Sequence, residues 1–447
     1  MTRQCPATPS QRRTRLDRAC VTDHGRFNMR HPACDLVVGC AAVLLAASTA
    51  RGLTPAVLVG PDLVAERVSI NSLRDGLLSY FDAQRNLRRQ PLAQFVQLRA
   101  IGAGGEALRG SSGQSLIDLV DGRRLVGSWS GASPDGEAIL WRHRALGQLV
   151  VPLEEVRAVT LSGEPPLPGA DPLVDMVTLA NGDQIRGHLS VVEERALDFV
   201  AEGGAEPISV PLDRVASLVL NNPRGAAGAW GQPPTGQHVV WLADGSRLFV
   251  TRIEIDGERV NLEVSLLDQA PRPVAMSIDQ IERIDFTASG WWLVDLVDLS
   301  FQVLDGGEVF YLPMPPRVEG RTLWMHAPVR VVYALPDSVV QFSATAELAA
   351  DDQVPTKRLD WADFELIVGG DGSEGEAEGE SGGGQWRHRI YAGQRRVEVN
   401  VPVAASSLTI ELDPGVNGPI LDRLRLRDAV LLIRLPHRSG ASDALQP

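Results

Sequence analysis

Apolar and polar residues alternate along most of residues 116–284, and glycine-centred breaks interrupt the alternation at regular places. Three stretches share one phrase: Leu116-Ile-Asp-Leu-Val-Asp-Gly-Arg-Arg-Leu-Val-Gly, Met176-Val-Thr-Leu-Ala-Asn-Gly-Asp-Gln-Ile-Arg-Gly and Val239-Val-Trp-Leu-Ala-Asp-Gly-Ser-Arg-Leu-Phe-Val. A period of two sends alternate side chains to opposite faces of a strand, and Asp-Gly or Asn-Gly between two such runs signals a hairpin. The type I′ turn expected there needs positive φ at both central residues. A second phrase closes each copy: Val150-Val-Pro-Leu-Glu-Glu-Val, Ser209-Val-Pro-Leu-Asp-Arg-Val and Ala275-Met-Ser-Ile-Asp-Gln-Ile. In the middle copy, Val177, Leu179, Ile185, Gly187 and Leu189 mark one face of two strands. A third strand is predicted at residues 196–200, a fourth near 208–210, then one tight helical turn and a last strand at 217–220. The turn glycines Gly122, Gly182 and Gly245 recur roughly every 60 residues, a period that marks a repeat architecture.

Five short strands in so few residues suit a small barrel, and the phrases resemble SH3-like and Sm-like repeats of exported bacterial proteins. The units are assigned to residues 113–163, 171–222 and 235–287, with turn-rich linkers such as Gly163-Glu-Pro-Pro-Leu-Pro-Gly between them. Residues 51–112 read either as a degenerate fourth unit or as a cap on the first barrel. There Arg67-Val-Ser-Ile-Asn-Ser-Leu-Arg-Asp-Gly-Leu-Leu resembles the opening phrase and Pro91-Leu-Ala-Gln-Phe-Val the closing one. Barrels of this kind are expected to bind RNA or peptides or to serve as spacers. Nucleic acid is excluded by the absence of basic residues interleaved with aromatics. A spacer presenting the C-terminal segment is favoured over peptide contacts along barrel edges.

After Gly290 the repeat phrase disappears and tryptophans enter. Strand-like runs occupy residues 329–334, 339–346, 364–368, 387–391, 397–401, 407–412 and 429–433. Runs of this length between turns predict a jelly-roll sandwich, assigned to residues 288–436. Four motifs follow in order: Leu293-Val-Asp-Leu, Leu323-Trp-Met-His-Ala, Ala349-Ala-Asp-Asp and Arg427-Asp-Ala. In that order they resemble the NPCBM family of carbohydrate-binding modules. Trp324 and Thr322 stand where the family carries glycines. The resemblance implies a β-sandwich that holds a sugar without chemistry on it. Trp324, His326, Asp351 and Asp352 are the candidate ligand-binding set, an aromatic face with groups to grip hydroxyls. Other roles stay open for each: Trp324 as core filler, His326 as a satisfied strand-end histidine, and Asp351-Asp352 as a turn cap. Trp361 and Trp386 are alternative platforms beside the acidic stretch 369–384, whose glycines and glutamates predict a flexible hairpin loop without metal ligation.

Composition changes the setting more than the fold. The 447 residues carry a formal net charge of -13, which argues against nucleic acid or an anionic membrane as partner. Residues 1–50 read as a signal-peptide region: Met29-Arg30-His31 as a basic start, Leu36 to Ala47 as the apolar run, small residues at 48–50. An uncleaved anchor is the alternative. All four cysteines (Cys5, Cys20, Cys34, Cys40) lie in this region, so an exported chain beginning after Ala50 has no disulfide. No catalytic phrase occurs in a suitable context, and adjacent carboxylates such as Glu154-Glu155 point to opposite faces of a strand. The expectation is therefore an all-β, non-catalytic, exported protein without cofactor or metal. Tandem barrels carry a carbohydrate-binding sandwich, located in the cell envelope or outside the cell. The alternative is an envelope component that binds a protein partner and no sugar.

Overall fold

The computed structural model describes residues 53–100, 115–162, 173–222, 232–266, 270–287, 290–309, 312–349, 362–370, 385–419 and 422–435. Residues 1–50, Asp351, Asp352, Trp361 and most of the acidic stretch lie outside them. The described residues are all-β, with one-turn 3-10 segments and no α-helix. Repeat 1 runs through strands Ser115–Leu119, Arg124–Ala132, Ala138–His143, Gly147–Pro152 and Val156–Thr160. The fifth strand pairs with the first, and the rest follow in sequence. The same order holds in repeat 2 (Asp175–Leu179 to Val215–Val219) and repeat 3 (His238–Leu242 to Ile281–Asp285). Each closing phrase makes its predicted turn, at Leu153–Glu155, Leu212–Arg214 and Ile278–Gln280. In repeat 3 Ser277 replaces the proline and forms a reciprocal capping box with Gln280.

The opening hairpins differ from the type I′ expectation. In repeat 1 the Gly122 N–H donates to the Leu119 carbonyl at 3.0 Å and Leu119 N–H to Arg123 at 2.9 Å, giving a three-residue loop. Only the glycine is left-handed, at φ 88°. The residue before it acts through its side chain: Asp121, Asn181 and Asp244 each accept the backbone N–H two residues on, at 3.0, 3.1 and 2.8 Å. That Asx contact replaces the second positive φ.

The N-terminal segment has the same five-strand order: Thr54–Val59, Ala65–Arg74, Leu77–Phe81, Leu87–Pro91 and Gln97–Ala100, with the turn Leu92–Gln94 before the last strand. The phrase around Asp75-Gly76, matched above to the opening hairpin, belongs one hairpin later. It joins the second and third strands, where Asp75 (φ 50°) and Gly76 (φ 71°) form the both-positive turn. All four barrels bulge midway along the second strand, at Ile70/Ser72, Trp129/Gly131, Leu189/Val191 and Val250/Arg252. A bulge bends one long strand enough to serve both halves of a small barrel.

The barrels are not strung as independent beads. Each fifth strand would present an open edge, and each is closed by another fifth strand. Ala158, Val159 and Thr160 pair with Val219, Leu218 and Ser217, while Gln97, Leu98 and Arg99 pair with Asp285, Ile284 and Arg283. Repeat 1 thus joins repeat 2, and the N-terminal barrel joins repeat 3. Repeat 1 also meets repeat 3, where His143 Nε2 lies 3.0 Å from Ser246 Oγ and Val126 N–H donates to the same oxygen. Backbone N–H groups of Ala145 and Leu146 donate to His143 Nδ1. Burial lowers the pKa of this imidazole, which stays neutral.

The C-terminal sandwich packs two antiparallel sheets. One runs Arg317–Glu319, Thr322–His326, Arg423–Arg434, Val339–Leu348 and Arg396–Pro402, and Trp291–Asp295 pairs with the far half of Arg423–Arg434. The other runs Phe301–Gly306, Val329–Ala334, Ser407–Pro414, Asp363–Gly370 and Trp386–Tyr391. The predicted runs all lie within these strands. Phe301–Gly306 escaped the pattern because its side chains are largely exposed and no face repeats. Asp363–Gly370 pairs with Trp386–Tyr391, so the acidic stretch joins neighbouring strands.

A buried polar joint fastens sandwich to barrels. Arg283 of repeat 3 grips Asp295 at 2.9 and 2.7 Å and reaches Asp285 at 2.9 Å. Arg321 of the sandwich donates to Asp295 at 2.5 Å and meets Glu282 at 3.3 Å. The Trp241 ring lies under three guanidiniums, those of Arg283, Arg247 and Arg321, at 4.8, 5.2 and 5.7 Å. Burial lifts the Asp295 carboxyl above the ordinary carboxylate range, and Arg283 opposes that rise. Beside the joint, Val59, Leu63 and Val96 pack on Leu293, Val430 and Leu432.

Candidate functional site

Strand Thr322–His326 sends Leu323 and Met325 into the sandwich core and Trp324 and His326 to the outer face. Register then lines up Arg317, Trp324, Arg425, Glu347 and Arg396 as one row across four neighbouring strand pairs. Trp324 is half-buried, and its ring meets a guanidinium from the strand on either side. Arg317 stands 5.4 Å and Arg425 5.5 Å from the ring centroid. Glu347 holds the row together, contacting Arg425 at 3.2 Å, Arg396 at 3.5 Å and Arg427 at 3.6 Å. Glu398 takes Thr345 Oγ1 at 2.8 Å and Arg396 at 2.9 Å, and Arg317 pairs with Glu319 at 3.1 Å.

His326 is buried, and its Nδ1 donates to the Ala327 carbonyl at 2.7 Å. Burial lowers its pKa, the hydrogen bond to the Ala327 carbonyl opposes that fall, and the facing Arg423 adds to it. Trp324 and His326 therefore share one face two residues apart. The other two candidates, Asp351 and Asp352, lie outside the described residues, as does Trp361. Trp386 is half-buried against the core, with His388 stacked on it at 5.6 Å and 15°. Trp292 fills the core and Trp291 packs beside the barrel joint under Arg434.

Two of the family-like phrases serve the joint. Asp295 of Leu293-Val-Asp-Leu receives Arg283 and Arg321, and Asp428 of Arg427-Asp-Ala meets Arg99 at 3.5 Å and Arg321 at 3.6 Å. Sequence reasoning missed Arg317, Glu347 and Arg425. For Arg425 a signal was present: Arg423, Arg425 and Arg427 alternate with leucines, which places all three on one strand face. Glu347 carried no such mark.

No family model matches the chain, and no curated protein does. Among solved structures, one neighbour is a CBM51 from Clostridium perfringens GH95 in complex with methyl-galactose. It shows 16% identity over 25% of this chain and 70% of that one, with a TM-score of 0.20. Another holds the CBM51-2 and INT domains of Clostridium perfringens ZmpB, at 14% identity over 41% and 38% and a TM-score of 0.23. A third holds the M60 catalytic domain with both CBM51 domains of that protein, at 10% identity over 82% and 48%, again at 0.23. The chain spans less than half the length of the latter two. Likenesses this distant carry neither a ligand nor an activity to this chain. Among the described residues no group of three or more His, Cys, Asp or Glu is placed to hold a metal, and no helix is long and apolar enough to cross a membrane.

Proposed function

We propose that the sandwich is a non-catalytic carbohydrate-binding module of the NPCBM kind, held on a four-barrel platform in an exported protein. The observation that carries this reading is the Trp324 row. An aromatic ring stands on the outer face of a sheet, amid guanidiniums, a carboxylate and an imidazole that belong to neither core. Saccharide sites combine an apolar ring with a few fixed polar groups, and this face has both. The motif order read from the sequence supports the same module. The test is retention on a glycan array and on galactose- and glucan-type resins. Trp324→Ala is expected to abolish retention while the circular dichroism spectrum and melting temperature hold.

One observation favours a second reading. Both sides of the Trp324 ring already meet arginines, an arrangement equally suited to a protein partner in the cell envelope. Absence of retention on every glycan, with the fold intact, selects that reading.

A further inference from the structure

We infer that the opening turn of repeat 2 docks on the same turn of a second copy of this chain, through Asp183, Gln184 and Arg186. This holds whatever the sandwich binds. Its ground is what the equivalent turn does in the other three barrels. In the N-terminal barrel that turn carries Leu63, which packs with Leu293 and Val430 of the sandwich. The Asp62 carbonyl beside it accepts the side-chain amides of Gln341 and Asn400 at 3.3 and 3.2 Å. The turns of repeats 1 and 3 cover each other. Arg124 pairs with Arg247, each being the second residue after its turn glycine. The first residue after one glycine meets the fourth after the other: Ser246 Oγ accepts the Val126 N–H, and the Arg123 guanidinium lies 5.7 Å from the Phe249 ring centroid. Arg123 also donates to the Ser265 carbonyl at 2.9 Å, while Ser246 meets His143, and these two partners end the third strands of their barrels. The contact is therefore reciprocal, a two-fold within one chain, and Arg123, Ser246 and Arg247 are buried there. Repeat 2 builds the same turn, yet Asn181, Gly182, Asp183, Gln184 and Arg186 are all exposed.

Charge at these positions fits a second copy. The arrangement of repeats 1 and 3, applied to two repeat 2 turns, sets Gln184 opposite Gln184. It sets Asp183, first after Gly182, beside Arg186 of the other copy, fourth after that glycine, and the dyad makes the pair twice. Opposite charges thus meet where the internal contact uses a hydroxyl and a guanidinium over a ring. Arg186 has no ion pair among the described residues. Asp183 is held within its own turn by Asn181 Nδ2 at 2.7 Å. A bond of that kind does not withdraw a side chain from the contact, since Arg123 is bonded to Asp121 in its turn and still reaches repeat 3. One hairpin from each copy makes a small interface, so association is weak, with a dissociation constant of about 1–100 μM. Such a dimer carries two sandwiches, a bivalent arrangement toward any ligand repeated on a surface.

The experiment is sedimentation equilibrium of the full chain, with Cys5, Cys20, Cys34 and Cys40 changed to serine, from about 1 to about 300 μM. A monomer–dimer equilibrium is expected. Asp183→Arg and Arg186→Asp should each weaken it about tenfold or more, because each sets like charges against one another across the dyad. The double variant Asp183→Arg/Arg186→Asp reverses both pairs and should return dimerisation to within about threefold of the parent. Both side chains are exposed, so these variants keep the fold, and circular dichroism verifies it. Gln184→Cys should give a disulfide-linked dimer on mild oxidation, since directly opposed strand residues have Cα atoms about 4.5–5.5 Å apart, within disulfide reach. Glu194→Cys, exposed on the next hairpin of repeat 2, should not. A chain that stays monomeric to about 300 μM overturns the inference. So does a dimer that the charge reversals leave unchanged, a loss in the single variants that the double variant does not rescue, or equal cross-linking through Glu194→Cys.

Discussion

Removal of the Asp295 carboxylate tests whether the buried joint makes barrels and sandwich one cooperative body. Asp295 is 3% exposed and accepts three charged hydrogen bonds, two from Arg283 and one from Arg321. In Asp295→Ala both guanidiniums stay buried with less counter-charge, and breaking a buried ion pair from one side costs about 3–5 kcal/mol. The lower end applies here, because Arg283 keeps Asp285 at 2.9 Å and Arg321 keeps Glu282 at 3.3 Å. A loss of about 3 kcal/mol is a large share of a typical domain's stability. Asp428→Ala is the reference: its carboxylate is 37% exposed, so surface pairs of its kind contribute about 0–1 kcal/mol. The assay is urea unfolding followed by tryptophan fluorescence, to which Trp241 under its three guanidiniums contributes. Wild type is expected to unfold in one transition, and Asp295→Ala in two, as the sandwich uncouples from the barrels. Equal, sub-kilocalorie losses for the two variants with unchanged cooperativity would refute the argument.

A second prediction concerns pH. Burial pushes the Asp422 carboxyl up to about 7, against the hydrogen bond it accepts from Asp363 N–H at 2.9 Å. The unfolded chain releases that proton near 3.8, so unfolding releases a proton between those values and stability falls as pH rises through that window. Asp422→Asn keeps the acceptor without the charge, and its stability relative to wild type should rise between pH 4 and 8 by no more than about 4 kcal/mol; parallel pH curves would sink the assignment. Gly187→Ala places a Cβ against the Val200 carbonyl and 2.9 Å from the Phe199 ring. It should cost about 1–3 kcal/mol in thermal unfolding, and a neutral result would mean that this strand pair is looser than described. Hydrogen exchange should find the amides of the fifth strands, Gln97–Ala100 and Val215–Val219, among the slowest in the barrels, since those strands are paired on both sides. Fast exchange there would place them at open edges.

Local pattern was enough for much of this fold. Alternation, turn glycines and the Pro-Leu-x-x-Val element each depend on residues a few positions apart, so repeats and strands were legible directly. Turn type was less so: Asp121 satisfies the backbone through its side chain and needs no left-handed φ, whereas Asp75 adopts one. Asp75-Gly76 also shows how a hairpin signal, taken alone, leaves open which hairpin of a barrel it makes.

The partners were decided only in three dimensions. Asp295 and Asp428 looked like module motifs and proved to be anchors, because their arginines sit on Gln97–Ala100, Ile281–Asp285 and the residue before Thr322–His326. Trp324 was readable as a candidate platform or as core filler, and the guanidiniums beside it were not readable at all. Arg317 and Arg425 are cross-strand neighbours, one across a tight hairpin and the other about a hundred residues away. A period of two assigns a side chain to a face. Only the register of distant strands assigns its neighbours, and at Trp324 those neighbours turn a stacking platform into an arginine-lined one.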